Sequence, residues 1–288
     1  MTTAVLERTR AYGRMIRFSH SVFALPFALA SAALAAAGGG LTASRLAWIV
    51  VAMVSARSAA MGFNRLVDHA IDARNPRTAG RELPRGVLSP RQVAAFVALS
   101  TAVFVASAAR LNPLCLALSP VALAIVLGYS YTKRFTAASH LVLGLSLALA
   151  PVGAWLAIRG RFDPAPIALG LAVLRWVAGF DAIYACQDVE FDRSEGLHSL
   201  PARVGVRRTL ALARSAHALA VPLLASLFWL APLHGLYLVG VAAVAALLAW
   251  EHTLVSAEDL SRVMQAFNLN GWVSLGYFLF TLAAVWPR

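Results

Sequence analysis

The sequence predicts an all-α, polytopic membrane protein in which nine transmembrane helices form a bundle around a central cavity. Two features of the composition lead to this fold class: 60% of the 288 residues are hydrophobic, and 13% are charged. A soluble globular domain is typically about one quarter charged, so this chain carries about half of the usual charge. The third observation is that the apolar residues fall into runs of about 20, the length that crosses a bilayer as a helix.

Nine such runs follow one another along the chain. The first comes after several basic residues, but it is long for the apolar core of a signal peptide, so it is interpreted as a retained helix. No low-complexity linker separates the runs, which predicts a single intramembrane domain over residues 1–288. The predicted spans lie near 18–37, 43–63, 91–109, 111–129, 140–158, 165–187, 209–231, 233–250 and 267–286.

The net charge of +12 would fit a nucleic-acid partner, but the distribution of the charge argues against one. Seventeen of the 25 Lys and Arg residues fall in the N-terminal segment and in the loops after the second, fourth, sixth and eighth spans. Five lie on the opposite side of the membrane and three within spans. The positive-inside rule makes the N-terminus and those loops cytoplasmic. The positive charge therefore orients a multi-pass protein, whose predicted location is the cell (inner) membrane. No nucleic-acid partner is predicted.

Two acidic motifs occupy corresponding cytoplasmic loops. Asn64, Asp68 and Asp72 recur at every fourth residue after the second span, and Asp188 and Asp192 do so after the sixth. Side chains at this spacing share one helix face, and like charges on one face repel unless a cation lies between them. Oxygen ligands without His or Cys suit Mg²⁺, which is commonly held by a few carboxylates, water and substrate phosphate. These five residues are the predicted metal ligands.

The two motif loops also resemble each other at an offset of 120 residues. Both continue into an LP step, LPRGVLSPR from Leu83 and LPARVGVRR from Leu200, and each step leads into the next span. This weak internal repeat predicts a pseudo-symmetric site at the centre of the bundle.

Cationic side chains follow both motifs. Carboxylates, a metal ion and guanidinium forks together form a pocket suited to a diphosphate. A solvated, positive-inside loop is the alternative for any single arginine. A diphosphate that needs a membrane bundle is one with a long apolar tail, so the predicted donor is a polyprenyl diphosphate whose chain lies between helices or in membrane lipid. The diphosphate-binding candidates are Asn64, Arg77, Arg81, Arg85, Lys133, Arg134 and Arg203.

The segments NRLVDHAID and DAIYACQDVEFD, with the nine spans, resemble the UbiA-type intramembrane prenyltransferases over essentially the whole chain. The resemblance implies that both motifs bind Mg²⁺ and the donor diphosphate. YSYTKR resembles the family's Tyr-x3-Lys element, which implies Lys133 on the diphosphate and Tyr129 beside the allylic carbocation, where an aromatic face stabilises positive charge. An interfacial aromatic belt with a snorkelling lysine is the alternative for these two residues. The implied catalytic set is Asp68, Asp72, Asp188, Asp192, Lys133 and Tyr129.

Four residues are candidates for binding an acceptor. Arg57 lies two turns deeper in the membrane than Asn64 on almost the same face, and a buried arginine there normally has a partner. The resemblance implies the carboxylate of an aromatic acid, and a structural ion pair is the alternative. Asp181 and Tyr184 share the stripe of the second motif and match the D-x2-Y-A element of aromatic-acid prenylating members. His198 stands where many 4-hydroxybenzoate-type members carry Lys, and EGLHSLPARVG is closer to the futalosine menaquinone subgroup.

The remaining polar residues carry weaker expectations. Arg17 precedes the first span, where it either reaches the diphosphate or only flanks the membrane. Five further histidines show no metal-ligand spacing, and most are expected at the membrane interface: His69, His140, His217, His234 and His252.

The predicted activity is the Mg²⁺-dependent transfer of a polyprenyl group from polyprenyl diphosphate to a 4-hydroxybenzoate-type aromatic acid, in ubiquinone or menaquinone biosynthesis. The departure at His198 leaves 1,4-dihydroxy-6-naphthoate open as the acceptor. An ion-coupled membrane transporter is the alternative from another class, because intramembrane Asp and Arg also mark ion pathways. Transporter sites usually lie near the bilayer midplane, whereas these acids cluster at one face.

Overall fold

A computed structural model describes residues 10–16, 23–37 and 39–285, and every regular element in that part of the chain is helical. The long helices, numbered in chain order, are α1 Leu25–Ala36, α2 Ala43–Val67, α3 Pro90–Leu111, α4 Pro113–Thr132, α5 Ser139–Arg159, α6 Pro164–Ala185, α7 Val206–Leu230, α8 Leu236–Glu251 and α9 Val263–Val285.

The all-helical membrane fold is confirmed, with fewer demonstrable spans than predicted. Within the described residues, six helices are long and apolar enough to cross a membrane, namely α2 to α7, with α6 counted as far as Ser194. Helices α1 and α8 are apolar but only 12 and 16 residues long. The number of nine transmembrane helices and the central cavity stay predictions. Positions 18–22 of the first predicted span, and Arg17, lie outside the described residues.

Local sequence explains where several helices begin. The Thr42 hydroxyl accepts a hydrogen bond from the Arg45 backbone N–H and caps α2, and Ser89 forms a capping box with Gln92 at the start of α3. Proline also occupies the first turn of α3, α4 and α6, where its missing N–H costs nothing. The ends of the spans are therefore fixed by the sequence next to them.

Helices α5 and α6 form the centre of the bundle and pack very closely. A Cβ on Gly144 of α5 would lie 2.3 Å from the Leu174 carbonyl oxygen of α6, so only glycine fits there. Gly179 of α6 meets the His217 ring of α7 just as closely. Small residues of this kind let helices approach each other in a membrane, where burial of apolar surface gives little driving force. This close packing fixes the axial position of α6, which leads into the second acidic motif.

A buried hydrogen-bond network joins α6, α8 and α9. The Trp176 indole N–H donates to Asn270 Oδ1 at 2.6 Å, and Asn270 Nδ2 donates to Glu251 Oε1 at 2.7 Å. His217 Nε2 lies 3.0 Å from the Trp176 carbonyl oxygen and adds α7 to the network. All four side chains are buried. His217 thus lies in the protein interior and differs from the membrane-interface position expected for most of the histidines. The hydrogen bonds satisfy groups that are costly to leave unpaired in an apolar interior.

Both acidic motifs lie at a break in a long helix. Helix α2 ends at Val67 and a six-residue helix, His69–Arg74, follows; α6 ends at Ala185, and a 3₁₀ turn leads to the six-residue helix Val189–Ser194. The first aspartate of each motif occupies the junction, with φ −91° and ψ 3° at Asp68 and φ −104° and ψ 10° at Asp188. The two halves therefore share a local geometry at the same offset of 120 residues.

Candidate active site

The first motif forms a buried acidic cluster at the end of α2. Asn64 Nδ2 donates to Asp68 Oδ2 at 3.0 Å. The backbone N–H of Asp68 bonds to the Asn64 carbonyl, and that of Asp72 to the Asp68 carbonyl. The three residues therefore follow one helical path despite the break. Asp68 is 2% exposed and Asp72 is 5% exposed, so both carboxylates need charged or polar partners nearby.

The end of α4 supplies the partners of Asp68. Lys133 Nζ lies 2.6 Å from Asp68 Oδ2, and an Arg134 guanidinium nitrogen lies 3.2 Å from Oδ1. The same Arg134 nitrogen donates to the Val67 carbonyl at 2.6 Å, which ties α4 to the last residue of α2. The predicted diphosphate ligands Lys133 and Arg134 therefore belong to the same cluster as the first motif.

Arginines next to the motif in sequence surround Asp72. Arg81 donates to Asp72 Oδ2 at 2.6 Å, and Arg65 Nη1 lies 3.8 Å from the same oxygen. The Thr78 hydroxyl donates to the Asp72 carbonyl at 2.9 Å and holds the loop that carries Arg81. Arg65 is buried and stands next to Asn64 in the chain. Sequence reasoning missed it because it lies between motif positions.

The second motif contacts the loop of the first. Arg77 donates to both carboxylate oxygens of Asp188, with 2.9 Å from Nε to Oδ1, and Asn75 Nδ2 donates to Oδ1 at 3.2 Å. Another Arg77 nitrogen donates to the Tyr184 hydroxyl at 3.0 Å. Burial opposes the charge of Arg77, yet the hydrogen bond to Asp188 raises the pKa of the guanidinium above its ordinary value. The two motif loops therefore meet through direct side-chain contacts.

Asp192 lies among groups from both halves. The charges of Asp188, Lys133 and Arg77 all act on its carboxyl, and the Ser199 hydroxyl lies beside it. Arg77 also acts on Asp72. Lys133 and Arg77 are thus shared between the motifs, and the four motif aspartates line one charged region.

The acceptor candidates do not form one cluster with direct contacts. His140 Nδ1 lies 2.6 Å from Asp181 Oδ2, and the charges of Asp181 and Asp68 both act on the Tyr129 hydroxyl. Arg57 lies on α2 seven residues before Asn64, and it donates to the Ile16 carbonyl at 3.5 Å. The backbone N–H of His198 donates to the Lys133 carbonyl at 2.7 Å, and its buried Nδ1 has no hydrogen-bond partner within the described structure.

Two diphosphate candidates stand apart from the motif aspartates: Arg85, which is exposed in the loop after the first motif, and Arg203. Arg203 lies on the short helix Leu200–Val204 and is exposed. Its side chain forms no hydrogen bond or ion pair with the described residues, whereas Arg77, Arg81, Lys133 and Arg134 each contact a motif aspartate.

A bidentate salt bridge outside the motifs also joins the two loops. Arg74 Nε donates to Glu195 at 2.9 Å, and Arg74 Nη2 does so at 2.6 Å. The hydrogen bonds from Arg74 lower the pKa of the Glu195 carboxyl and raise the pKa of Arg74. Neither residue was a candidate, because a charged pair 121 positions apart has no signature in a single sequence.

The oxygen ligands of the site fit a metal ion that is bound jointly by protein, water and substrate. They fit less well a metal ion whose ligands all come from the protein. Nowhere in the described ranges do three His, Cys, Asp or Glu side chains come together as a metal-binding group. The carboxylates and Asn64 are nevertheless the ligand types that Mg²⁺ takes, and Mg²⁺ usually completes its shell with water and substrate phosphate. In the structure, lysine and arginine side chains contact the buried carboxylates of Asp68 and Asp72 and balance their negative charge.

Comparison with known proteins places the chain. Residues 24–281 match the UbiA prenyltransferase family. The chain is 30% identical to the 4-hydroxybenzoate octaprenyltransferase of Cupriavidus necator, over 97% of this chain and 99% of that protein. Among solved structures, a UbiA homologue from Aeropyrum pernix K1 in its apo form is 36% identical, with a TM-score of 0.84 over 92% of this chain and 98% of the other.

A UbiA homologue from Archaeoglobus fulgidus, solved with bound GPP and Mg²⁺, shares the fold. Its identity is 22% and its TM-score is 0.73, over 95% of this chain and 100% of the other. The match to the family covers most of the chain, as the two sequence motifs predicted. This multi-pass membrane protein is a prenyltransferase and belongs to the UbiA prenyltransferase family.

Proposed function

We propose that the protein transfers a polyprenyl group from a polyprenyl diphosphate to a 4-hydroxybenzoate-type aromatic acid, in ubiquinone or menaquinone biosynthesis, with Mg²⁺ as cofactor. It acts as a single domain of nine transmembrane helices in the cell inner membrane, with the charged site on the cytoplasmic side. The name of the Cupriavidus necator relative and the Mg²⁺ and GPP bound by the Archaeoglobus fulgidus homologue support this proposal.

The contact between Arg77 and Asp188 carries the proposal. It brings an arginine from the loop of the first motif onto the first aspartate of the second, 111 residues away. The same guanidinium acts on Asp72, so one cation lies between carboxylates of both halves. Two acidic arms that share cations in this way are suited to a divalent metal together with a diphosphate.

Asn64, Asp68, Asp72, Asp188 and Asp192 would hold the metal ion. When bound, Mg²⁺ would neutralise the charge that a diphosphate gains as it leaves its carbon. Because Lys133, Arg81 and Arg77 already bond to three of these carboxylates, they are within reach of a diphosphate bound there. We infer that these cations turn from carboxylate to phosphate when the donor binds.

The residues of the chain then divide the reaction between them. The C–O bond of the donor breaks, and its electron pair leaves with the diphosphate, which Lys133, Arg77 and Arg81 stabilise. Tyr129 faces the allylic cation, whose charge its ring stabilises. The ring carbon ortho to the phenol supplies the electron pair of the new C–C bond. Arg57 would bind the carboxylate of the acceptor deeper in the bundle.

His198 supports a second candidate for the acceptor substrate. Its buried Nδ1 lacks a partner among the described residues, and its backbone bonds to Lys133. An imidazole that can accept as well as donate suits a substrate hydroxyl better than the fixed ammonium that the related enzymes carry. This observation favours 1,4-dihydroxy-6-naphthoate, which has two ring hydroxyls, as the alternative aromatic acid.

The test is an assay of the purified protein with Mg²⁺ and a radiolabelled polyprenyl diphosphate. 4-Hydroxybenzoate and 1,4-dihydroxy-6-naphthoate are offered in parallel, with Asp68→Asn and Asp188→Asn as matched controls. A prenylated acid that disappears with EDTA and with either variant supports the proposal, and the preferred acid identifies the pathway. No product from either acid, with the donor bound, removes the aromatic-acid assignment. If the donor does not bind, ion transport becomes the better hypothesis.

A further inference from the structure

The proposed reaction needs a base, because the ring carbon that attacks still carries a hydrogen. The pair formed by His140 and Asp181 has no role in donor binding in the proposed reaction. His140 is the second residue of α5, and Asp181 lies on α6. His140 Nδ1 and Asp181 Oδ2 are 2.6 Å apart, and the side chains are 7% and 21% exposed. The pair is therefore sheltered but reachable on the Asp181 side.

The surroundings of the imidazole determine which nitrogen carries its proton. The Leu200 backbone N–H points at His140 Nε2 from 3.4 Å, so Nε2 accepts and has no proton of its own. The proton is then on Nδ1, which donates to Asp181 Oδ2. The other carboxylate oxygen, Oδ1, has no hydrogen-bond partner in the described part of the chain, which leaves it available to a substrate.

Asp181 differs from the motif carboxylates in the kind of partner it has. Asp68, Asp72 and Asp188 each contact Lys or Arg, so cations already engage their oxygens. The partner of Asp181 is an imidazole that this geometry leaves neutral. Asp181 thus keeps one carboxylate oxygen, Oδ1, that no cation of the described site engages.

Its depth also separates Asp181 from the diphosphate region. Asp181 precedes Asp188 by seven residues, which is about 10 Å along a helix. It acts electrostatically on Tyr129, the residue proposed beside the allylic cation. An aromatic ring that attacks the allylic carbon on the side opposite the diphosphate would lie at the depth of Asp181. That depth is between the diphosphate region and Arg57.

We propose that Asp181 removes the ring proton after C–C bond formation and that His140 is the residue that positions it. The C–H electron pair returns to the ring and restores aromaticity, while the proton goes to Asp181 Oδ1. The carboxyl then releases the proton to water before the next turnover. This inference rests on the proposed transfer to an aromatic ring.

The test compares His140→Asn with His140→Leu. The asparagine amide can donate a hydrogen bond to Asp181 in place of the histidine Nδ1–H. Leucine has a volume similar to that of histidine but no hydrogen-bond donor. Each protein is assayed at saturation with 4-hydroxybenzoate, either unlabelled or deuterated at both positions ortho to the phenol. Exchange of oxygen-18 between the bridging and non-bridging positions of the polyprenyl diphosphate is measured on the same samples, as evidence of folding and donor ionisation.

We expect kcat to fall about 10- to 100-fold in His140→Leu and only a few-fold in His140→Asn. A deuterium isotope effect should appear in His140→Leu and in Asp181→Asn, because proton removal becomes rate-limiting, and oxygen-18 exchange should continue. A merely structural role for His140 would lower the rate without an isotope effect.

Two results would overturn the inference while leaving the proposed function in place. One is a slow His140→Leu enzyme that shows no isotope effect, and the other is a His140→Asn enzyme as slow as His140→Leu. If the wild-type protein ionises the donor but prenylates no aromatic acid, the proposed function fails and the role of Asp181 fails with it.

Discussion

The two acidic motifs have the same spacing but different surroundings. Asp68 and Asp72 of the first are almost fully buried and contact four cations: Lys133, Arg134, Arg81 and Arg65. In the second, Asp188 is partly exposed and has one cationic partner, Arg77.

The difference indicates a division of work between the two arms. The first motif is held from several helices and loops, and Arg65 and Arg134 remain beside its carboxylates even when Lys133 and Arg81 turn to a diphosphate. Asp188 of the second motif is held across the gap from one loop, by the Arg77 fork and the Asn75 amide. A diphosphate that attracts Arg77 releases Asp188, and the second arm is therefore the one that we expect to rearrange on binding.

Removal of the divalent metal should have the largest effect on both arms. EDTA is expected to abolish prenyl transfer. Because Lys and Arg already neutralise the carboxylates, Mg²⁺ should bind weakly alone and at least about 10-fold more tightly with an unreactive diphosphate analogue, a coupling of about 1.4 kcal/mol. Calorimetric titration of Mg²⁺ with and without the analogue measures this coupling. Equal affinities would mean that the cations do not change partners.

Asp68→Asn and Asp188→Asn compare the arms directly. Each should lower kcat at least about 100-fold, because a metal ligand is lost. Asp68→Asn should also destabilise the fold, since it removes the anionic partner of two cations, Lys133 and Arg134, at once. Asp188→Asn should cost less stability, because it removes the carboxylate partner of one cation, Arg77. Thermal unfolding in one detergent tests the order, and equal shifts in Tm would contradict it.

Arg77→Lys removes the fork that joins the arms. A lysine cannot bond both Asp188 oxygens and the Tyr184 hydroxyl together, so the second arm loses its fixed position. We expect the KM for the polyprenyl diphosphate to rise about 10-fold with a smaller change in kcat. Arg207→Lys is the control, because Arg207 is highly exposed and has only a 3.8 Å contact with Glu258. A similar rise in the control would indicate a general charge effect.

Glu195→Gln should have the smallest effect, about two-fold on kcat/KM, because its salt bridge with Arg74 lies at the surface. Arg74 lowers the Glu195 pKa, so the bridge contributes fully above the unfolded value of about 4.5 and is lost as pH falls through the lower folded value. Hydrogen exchange in His69–Arg74 and Val189–Ser194 should quicken in the variant. The charge-swapped pair Arg74→Glu with Glu195→Arg should restore protection; failure to do so would assign the effect to other contacts.

The sequence predicted the helices better than it predicted the contacts among the charged residues. The length of an apolar run is a local property of the sequence, so the positions of the apolar helices follow from it. The regular spacing of Asp68 and Asp72 likewise predicted that they follow one helical path. Asn75 and His140 were missed as site residues because their contacts to Asp188 and Asp181 depend on how the helices pack. His140 stands at the start of a span, which indicated the interface, but the segment around Leu200 covers it.

The network of Trp176, Asn270 and Glu251 has a consequence for biogenesis. Helix α6 leads into the second motif, yet the indole N–H of its Trp176 bonds to a residue of α9, the last of the long helices to be synthesised. Until α9 is inserted, the Trp176 indole N–H lacks its partner in an apolar environment, where an unpaired polar group costs several kcal/mol. The hydrogen bond that ties α6 to α9 therefore forms only after the ribosome has made α9, so the core behind the second arm is the last part of this network to be completed.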